Sequence, residues 1–290
     1  MFPAQIPSPQ PSPRLGGARE QEPCPDAPAR AAPYEIDPGG ISAYRTRVNL
    51  DEASRNWTAL GEDDPLWVVL TDPGKKNRGW NEAEFFATGT AQIADLFSRL
   101  QAAGLAPAAG RALDFGCGVG RLTQALAARF ETVDGVDISA SMIRHAEKFN
   151  RFPGRVQYHL NVRPDLATFP AGQYDFIGSL IALQHTPARF QRGYLADFLR
   201  LLKPGGCAYF QTIHARGWRR LVPDWTADRI RKRRSHGQAF IPLYGLPVKN
   251  VRRIFDRPGA GRIVKHDSSG YAGWESRYAN DVFIVQKNPA

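Results

Sequence analysis

The sequence predicts an α/β fold in which a parallel sheet is covered by helices on both faces. Three observations carry this expectation. Short apolar strands alternate with amphipathic helices from about residue 89 to residue 213, the rhythm of repeated crossover units. A glycine cluster joins the first of these strands to the helix after it. The 290-residue chain is 42% apolar and 23% charged, an ordinary globular balance that suits one main domain of ~200 residues plus extensions.

The elements follow in order. From Gly89, residues Ile93, Leu96, Phe97 and Leu100 fall on one helical face, and Gly104 sits where that helix stops. Arg111–Phe115 is a short strand ending in the glycine cluster, and 121–130 is a helix marked by Leu122, Leu126 and Phe130. Thr132–Ile138 is a second strand, Ala140–Asn150 a second helix of the series, Val156–Leu160 a third strand and Tyr174–Ile181 a fourth. Thr186-Pro187 opens a further helix. Threonine is a good N-cap, and proline at the first helical position gives up only a donor that would go unpaired. Phe190, Tyr194, Phe198 and Leu201 form its buried stripe, Lys203-Pro204-Gly205-Gly206 stops it, and Cys207–Ile213 is the fifth strand. Beyond this the rhythm breaks: 247–256 reads as a helix, and Arg262–Asp267 and Ala279–Val285 read as strands.

The chain divides into three parts. Residues 1–40 hold 10 of the 23 prolines and few apolar side chains, so they cannot bury enough surface to offset their ordering entropy; a disordered proline-rich tail is expected. Residues 41–88 include Trp57, Leu60, Leu66, Trp67, Val68, Val69, Trp80, Phe85 and Phe86, too apolar for a linker, and are expected to pack on the main domain as an N-terminal cap. Residues 89–290 form the main domain.

Several classes are excluded or disfavoured. No run approaches the ~20 apolar residues of a membrane helix. The N-terminus lacks a basic start followed by an apolar run, so no secretory signal is expected. Cys24, Cys117 and Cys207 are too few and too scattered for a disulfide scaffold or a cysteine-rich metal site, which points to a reducing, cytoplasmic setting. The net charge of +10 is localised: residues 1–205 carry 22 basic and 22 acidic side chains, whereas 206–290 carry 16 and 6. The densest part, an insertion at about 215–245, contains Arg216, Arg219, Arg220, Arg229 and Arg231-Lys232-Arg233-Arg234 with Trp218 and Trp225 interleaved. It is either a contact for an anionic partner or a solvated arginine-rich face.

The sharpest motif is Asp114-Phe115-Gly116-Cys117-Gly118-Val119-Gly120-Arg121, which follows a strand and opens a helix. Glycines let a ligand approach the backbone and permit positive φ. The helix start adds free N–H groups. The dinucleotide pattern G-x-G-x-x-G fails here because the third position is Arg121 or Thr123, and no Gly-Lys-Ser/Thr follows for a P-loop. A second acid, Asp137, closes the next strand, where a carboxylate accepts both hydroxyls of a ribose and repels a 2′-phosphate. Asp114 can receive an ammonium group. The parts fit a ligand with a ribose, no phosphate and a cationic amino-acid tail.

With these residues the sequence resembles the class I S-adenosylmethionine-dependent methyltransferases. The glycine loop is similar to the family's first motif and Asp137 to its ribose-binding acid. Tyr174–Leu180 is similar to the motif on its fourth strand, and Leu201–Gly206 to the turn before its fifth. The pieces occur in the family's order from about Gly89 onward. The resemblance implies a three-layer Rossmann-like sandwich whose mostly parallel seven-stranded sheet has an antiparallel last strand. It implies S-adenosylmethionine as cofactor, with Gly116 and Gly118 against the methionine part and Asp114, Cys117 and Gly120 also among the cofactor-binding residues. Asp137 would hold the ribose, Ile138, Met142, Asn161 and Val162 would surround the adenine, and Ser179 would lie near the reacting methyl.

Structural roles compete at each position. Asp114 can cap the following helix, as Asp137 can cap the one after Ser139. Met142 can be core, Asn161 can tie down a turn, and Cys117 is small with no evident base beside it. His185 and His214 are the candidate general bases, because imidazole titrates near neutral pH; a packing role is the alternative. The six histidines are scattered, so no metal is expected. The favoured reaction is O- or N-methylation of a small molecule or glycan, which the basic segment allows to be anionic. A nucleic-acid methyltransferase is the alternative, weakened because Ser179-Leu180-Ile181-Ala182 stands where base-directed amino methyltransferases carry Asp/Asn-Pro-Pro-Tyr.

Overall fold

The computed structural model describes residues 50–216, 233, 241–256, 259–270 and 278–289. The proline-rich stretch 1–40, the first part of the expected cap (41–49) and nearly all of the basic insertion lie outside the described residues.

Seven strands form one sheet: β1 (Arg111–Phe115), β2 (Thr132–Asp137), β3 (Val156–Leu160), β4 (Tyr174–Ser179), β5 (Leu202–Ala215), β6 (Gly261–Gly270) and β7 (Tyr278–Lys287), in the order β3-β2-β1-β4-β5-β7-β6. Strands β1 to β5 pair in parallel, whereas β7 runs antiparallel to both β5 and β6. Strand order reverses between β1 and β4, which places the binding crevice at the carboxyl ends of those strands. Every residue of β4 is buried, as expected for a strand covered on both faces.

Two apolar layers cover the sheet. On one face, α3 (Glu82–Ala102) and α4 (Arg121–Leu126) bury Ile93, Leu96, Leu100, Leu122 and Leu126 against Ala112, Phe176 and Tyr209. On the other, α6 (Ala188–Leu201) and α7 (Val248–Phe255) bury Tyr194, Phe198, Val251 and Phe255 against Ile177, Phe210 and Phe283. Helix α5 (Ala140–Phe149) starts at Ser139, whose side chain accepts the Met142 amide at 3.3 Å.

The N-terminal part adds α1 (Leu50–Asp63) and the short α2 (Pro65–Val69). Trp57, Leu60, Val68 and Val69 pack with Phe85, Phe86, Val119 and Met142. Polar ties fix α1 to the start of α5: Ser54 Oγ donates to the Ile138 carbonyl at 2.9 Å, and Ser141 Oγ donates to that of Thr58 at 2.7 Å.

Several boundaries differ from the sequence reading; β6 and β7 run longer than expected, and α6 begins at Ala188, with Pro187 and not Thr186 at the cap position and no side-chain cap. Helix α3 begins at Glu82, seven residues before Gly89, because the Asn81 side chain accepts the Glu84 amide at 3.2 Å and caps it. The division at 88/89 therefore falls inside a continuous helix. Helix α4 stops at Leu126, and the chain reaches Phe130 through turns. Strand β4 ends at Ser179, since Ile181 turns to a φ of 61°. Strand β5 starts at Leu202, and Lys203–Gly206 lie within it: Tyr174 pairs with Leu202 and Phe176 with Cys207, so the extra residues bulge without ending the pairing.

Candidate active site

The glycine loop leaves β1 and turns into α4 with Gly116, Gly118 and Gly120 at φ of 76°, 54° and 84°. Backbone room is as decisive as φ. A Cβ on Gly116 would lie 2.1 Å from the Ala182 Cβ, one on Gly118 2.7 Å from Val69 Cγ2, and one on Gly120 2.1 Å from the Tyr158 hydroxyl. The loop is bolted to β2: the Gly116 and Cys117 amides donate to the Val136 carbonyl at 2.7 and 3.0 Å.

Asp137 completes this junction. One carboxylate oxygen accepts the Gly118 amide at 2.9 Å and the other accepts the Ser139 amide at 2.8 Å. It therefore does not cap α5, a task Ser139 performs. Each oxygen keeps a free lone pair, enough for a diol. Burial raises its pKa, against the lowering effect of the Ser139, Gly118 and Ile138 amides.

Asp114 is buried at the end of β1. Its Oδ2 accepts the Thr123 hydroxyl at 2.7 Å, and burial pushes its pKa up to about 6, opposed by Thr123 and by the charge of Arg121. The helix-tying alternative for Asp114 is thus realised in part, with one carboxylate oxygen left over.

These groups border one cleft that opens to solvent. Its lining includes Asp114, Gly116, Cys117, Gly118, Asp137, Ile138, Met142 and Asn161, and also Leu50, Trp57, Val68, Arg121, Ile181 and His185. Ile181 is a β-branched residue in left-handed backbone, a strained conformation that the packed cleft wall holds in place.

His185 is half-buried, 5.0 Å from the Trp57 ring centroid. Its Nδ1 lies 2.6 Å from the Pro242 carbonyl, which accepts only, so Nδ1 carries the proton and the Nε2 lone pair accepts from the Gln184 side-chain amide at 3.4 Å. Burial lowers its pKa to about 4, with the Pro242 carbonyl acting weakly the other way.

A seven-stranded α/β sheet with a crevice built this way matches known proteins. The description "Methyltransferase domain" fits residues 85–243, more than half of the chain. The chain belongs to the methyltransferase domain family. Its sheet, with one reversed strand, has the class I Rossmann-like form expected from the sequence. The chain is 35% identical over 111 residues to a ubiquinone biosynthesis O-methyltransferase of Thiobacillus denitrificans, a match covering 38% of this chain and 47% of the relative. A second such protein, from Bordetella avium, is 33% identical over 36% of this chain and 43% of its own length. The chain thus spans about half the length of the curated relatives it matches. Among solved structures, a cyclopropane synthase of Mycobacterium tuberculosis aligns with a TM-score of 0.56 at 17% identity, covering 80% of this chain and 98% of that one. Magnesium protoporphyrin IX methyltransferase of Synechocystis PCC 6803, with bound SAH, aligns at 0.53 and 18% identity, covering 82% and 99%. These two likenesses show the fold.

Not every expected site residue of this methyltransferase domain faces the cleft. Gly120 turns toward Tyr158. Val162 stands 44% exposed, outside the cleft lining. Ser179 is buried at the end of β4, its hydroxyl without a partner among the described residues and away from the lining. Asn161 lines the cleft, but its side chain is engaged in its own turn, donating to the Asp165 carbonyl at 3.0 Å and accepting the Arg163 amide at 3.2 Å. Cys117 is buried, and its raised pKa keeps it a thiol. His214 is displaced from the candidate role: its Nδ1 is bonded to the buried Asp281, which also takes His266 Nε2 at 2.9 Å, and none of the three lines the cleft.

Trp57 and Arg121 are among the cleft residues that the sequence reading did not assign to the site. Trp57 comes from α1, and only the concentration of aromatics before residue 88 hinted at it. Arg121 follows Gly120 directly and is 4% exposed. A cation opening a helix runs against the helix dipole, and that was the available signal.

Proposed function

We propose that this protein is an S-adenosylmethionine-dependent methyltransferase that methylates a hydroxyl of a small molecule. The carrying observation is that Asp114 and Asp137, from the ends of adjacent strands, border one cleft with the glycine loop between them. The residues fit the cofactor: Asp137 has spare acceptor capacity for a ribose diol, Asp114 is a buried acid suited to an ammonium group, and Ile138 and Met142 offer apolar walls to an adenine.

The bound cofactor supplies a methyl group already activated on a sulfonium for in-line displacement. The protein's share is alignment, exclusion of water and removal of one proton. Trp57, Leu50 and Val68 close the cleft from the α1–α2 side. His185, held by Pro242 with Nε2 unprotonated, is the group that takes the acceptor's hydroxyl proton, the acceptor replacing the long Gln184 contact at Nε2. A base is required for an oxygen acceptor and not for a free amine, so an ordered neutral histidine in the cleft favours oxygen. The apolar lining on the His185 side favours an uncharged small acceptor over a glycan or an anionic one.

The relatives are named for O-methylation in ubiquinone biosynthesis, which supports the hydroxyl reading. Among the described residues no helix is long and apolar enough to cross a membrane. Cys117 and Cys207 are buried and unpaired, in keeping with a cytoplasmic setting. The test is transfer of labelled methyl into fractionated extract, with and without nuclease. Label is expected in a nuclease-resistant small molecule; label lost on nuclease treatment would move the assignment to nucleic acid.

A further inference from the structure

We propose that Arg121 binds the carboxylate of the cofactor's amino-acid tail, opposite Asp114 on the ammonium, so that the cleft selects a zwitterion. This rests on the cofactor reading above and goes beyond it in naming what recognises the tail.

Arg121 is a buried cation short of partners. It is 4% exposed, and burial lowers its pKa. Its Nη1 donates to the Thr88 hydroxyl at 3.2 Å and its Nη2 to Gln92 Oε1 at 2.7 Å, both neutral acceptors on α3. Its Nε is buried and bonded to nothing among the described residues. Among those residues, no carboxylate lies within 4.0 Å of the guanidinium. Asp114 acts on it through space but makes no ion pair with it, and a guanidinium taken out of water without a bonded carboxylate is costly, the more so with one donor left unmade.

The same residue lines the cleft next to Asp114 and the glycine loop. Asp114 has the complementary problem, a buried acid whose ionised form is penalised. An amino-acid tail relieves both at once, its carboxylate meeting the guanidinium and its ammonium meeting the acid. A ligand with only an amine relieves one and leaves Arg121 unpaired. Gly89 lets α3 pass close to the start of α4 beside this residue, since a Cβ there would lie 2.4 Å from the Arg121 carbonyl oxygen and 2.9 Å from its Cγ.

The test is calorimetric titration of the full chain with S-adenosylhomocysteine and with its decarboxylated analogue, which keeps the adenosine, sulfur and amine. The wild type is expected to prefer the carboxylate-bearing ligand by about tenfold or more, the scale of a hydrogen bond to a charged group. Arg121→Gln is expected to bind the two ligands equally, with the amine's affinity close to that of wild type. Gln92→Glu provides a second variant that keeps the arginine and hands it an internal carboxylate. It is expected to raise the thermal midpoint of the free protein and to shrink the preference. A wild-type preference retained by either variant that folds overturns the assignment of Arg121. Failure of the wild type to bind either ligand overturns the cofactor reading itself, and the two results are distinguishable.

Discussion

Asp137 accepts the Gly118 amide at 2.9 Å, so the acid that ends β2 and the glycine loop that follows β1 form one hydrogen-bonded unit. The acid shapes the loop as well as offering acceptors to a ligand. Replacing Asp137 by alanine is expected to weaken S-adenosylhomocysteine binding by roughly 1.5–3 kcal/mol, the scale for hydrogen bonds to a charged group. Asp137→Asn keeps one acceptor oxygen and should lose less. Calorimetry on the three proteins checks the order, and an alanine variant with unchanged affinity would show that the ribose lies elsewhere.

The loop's glycines make a stability prediction independent of any ligand. Gly116→Ala places a methyl 2.1 Å from the Ala182 Cβ at a φ of 76°. Left-handed backbone costs a side-chain-bearing residue ~1–2 kcal/mol, and overpacking adds ~1–3 kcal/mol. The thermal midpoint is expected to fall by several degrees. Gly172→Ala, at a φ of 67° with nothing within 4 Å of the added Cβ, is the control and should show the backbone part alone.

Much of this architecture was legible in the sequence, and the rest was not for physical reasons. The strands β1 to β4 and helix α6 could be read because their apolar residues recur with the right period and their ends carry turn residues such as Thr186-Pro187. Asp114, the glycines and Asp137 could be read because strand-end positions are local. Gly89 reads as a boundary, which hides the start of α3 although Asn81, Glu82 and Glu84 form a helix-opening pattern; its missing Cβ instead lets α3 pass close to the backbone at the start of α4. His185 and His214 were indistinguishable. What separates them is Pro242, 57 residues from His185, and Asp281, 67 residues from His214.

The two histidines part company experimentally. His185→Gln is expected to lower kcat by about 10²–10⁴, the contribution of a positioned general base, with little change in cofactor affinity. His214→Gln should leave kcat near that of wild type. His185 also bears on stability. Its folded pKa of about 4 lies below the ordinary 6.5, so the unfolded chain takes up the proton first as pH falls. The stability associated with its neutral state is complete above about pH 6.5 and is lost progressively toward pH 4. Wild type should therefore lose more thermal stability than His185→Gln between pH 7 and pH 4.5, measured by calorimetric melting. Parallel losses in the two proteins would contradict the proton-free state of His185.

Asp114 titrates in the opposite sense, and its signature lies in binding. Its folded pKa of about 6 is raised above the ordinary 3.8, so without ligand the native state holds the proton more tightly than the unfolded chain. For this group, stability increases as pH falls through 6 toward 3.8. An ammonium group placed against Asp114 requires the ionised acid. Above pH 6 that form is already present and affinity for S-adenosylhomocysteine should be flat. Below it the ligand must expel a proton, and affinity should fall by up to about tenfold per pH unit. Titrations at pH 5 in buffers of different ionisation enthalpy should register the released proton, and those at pH 7.5 should not. Asp114→Asn should bind more weakly at neutral pH and lose the dependence. A wild-type profile that stays level from pH 7.5 to pH 5 would mean that the tail's ammonium is received by some group other than Asp114.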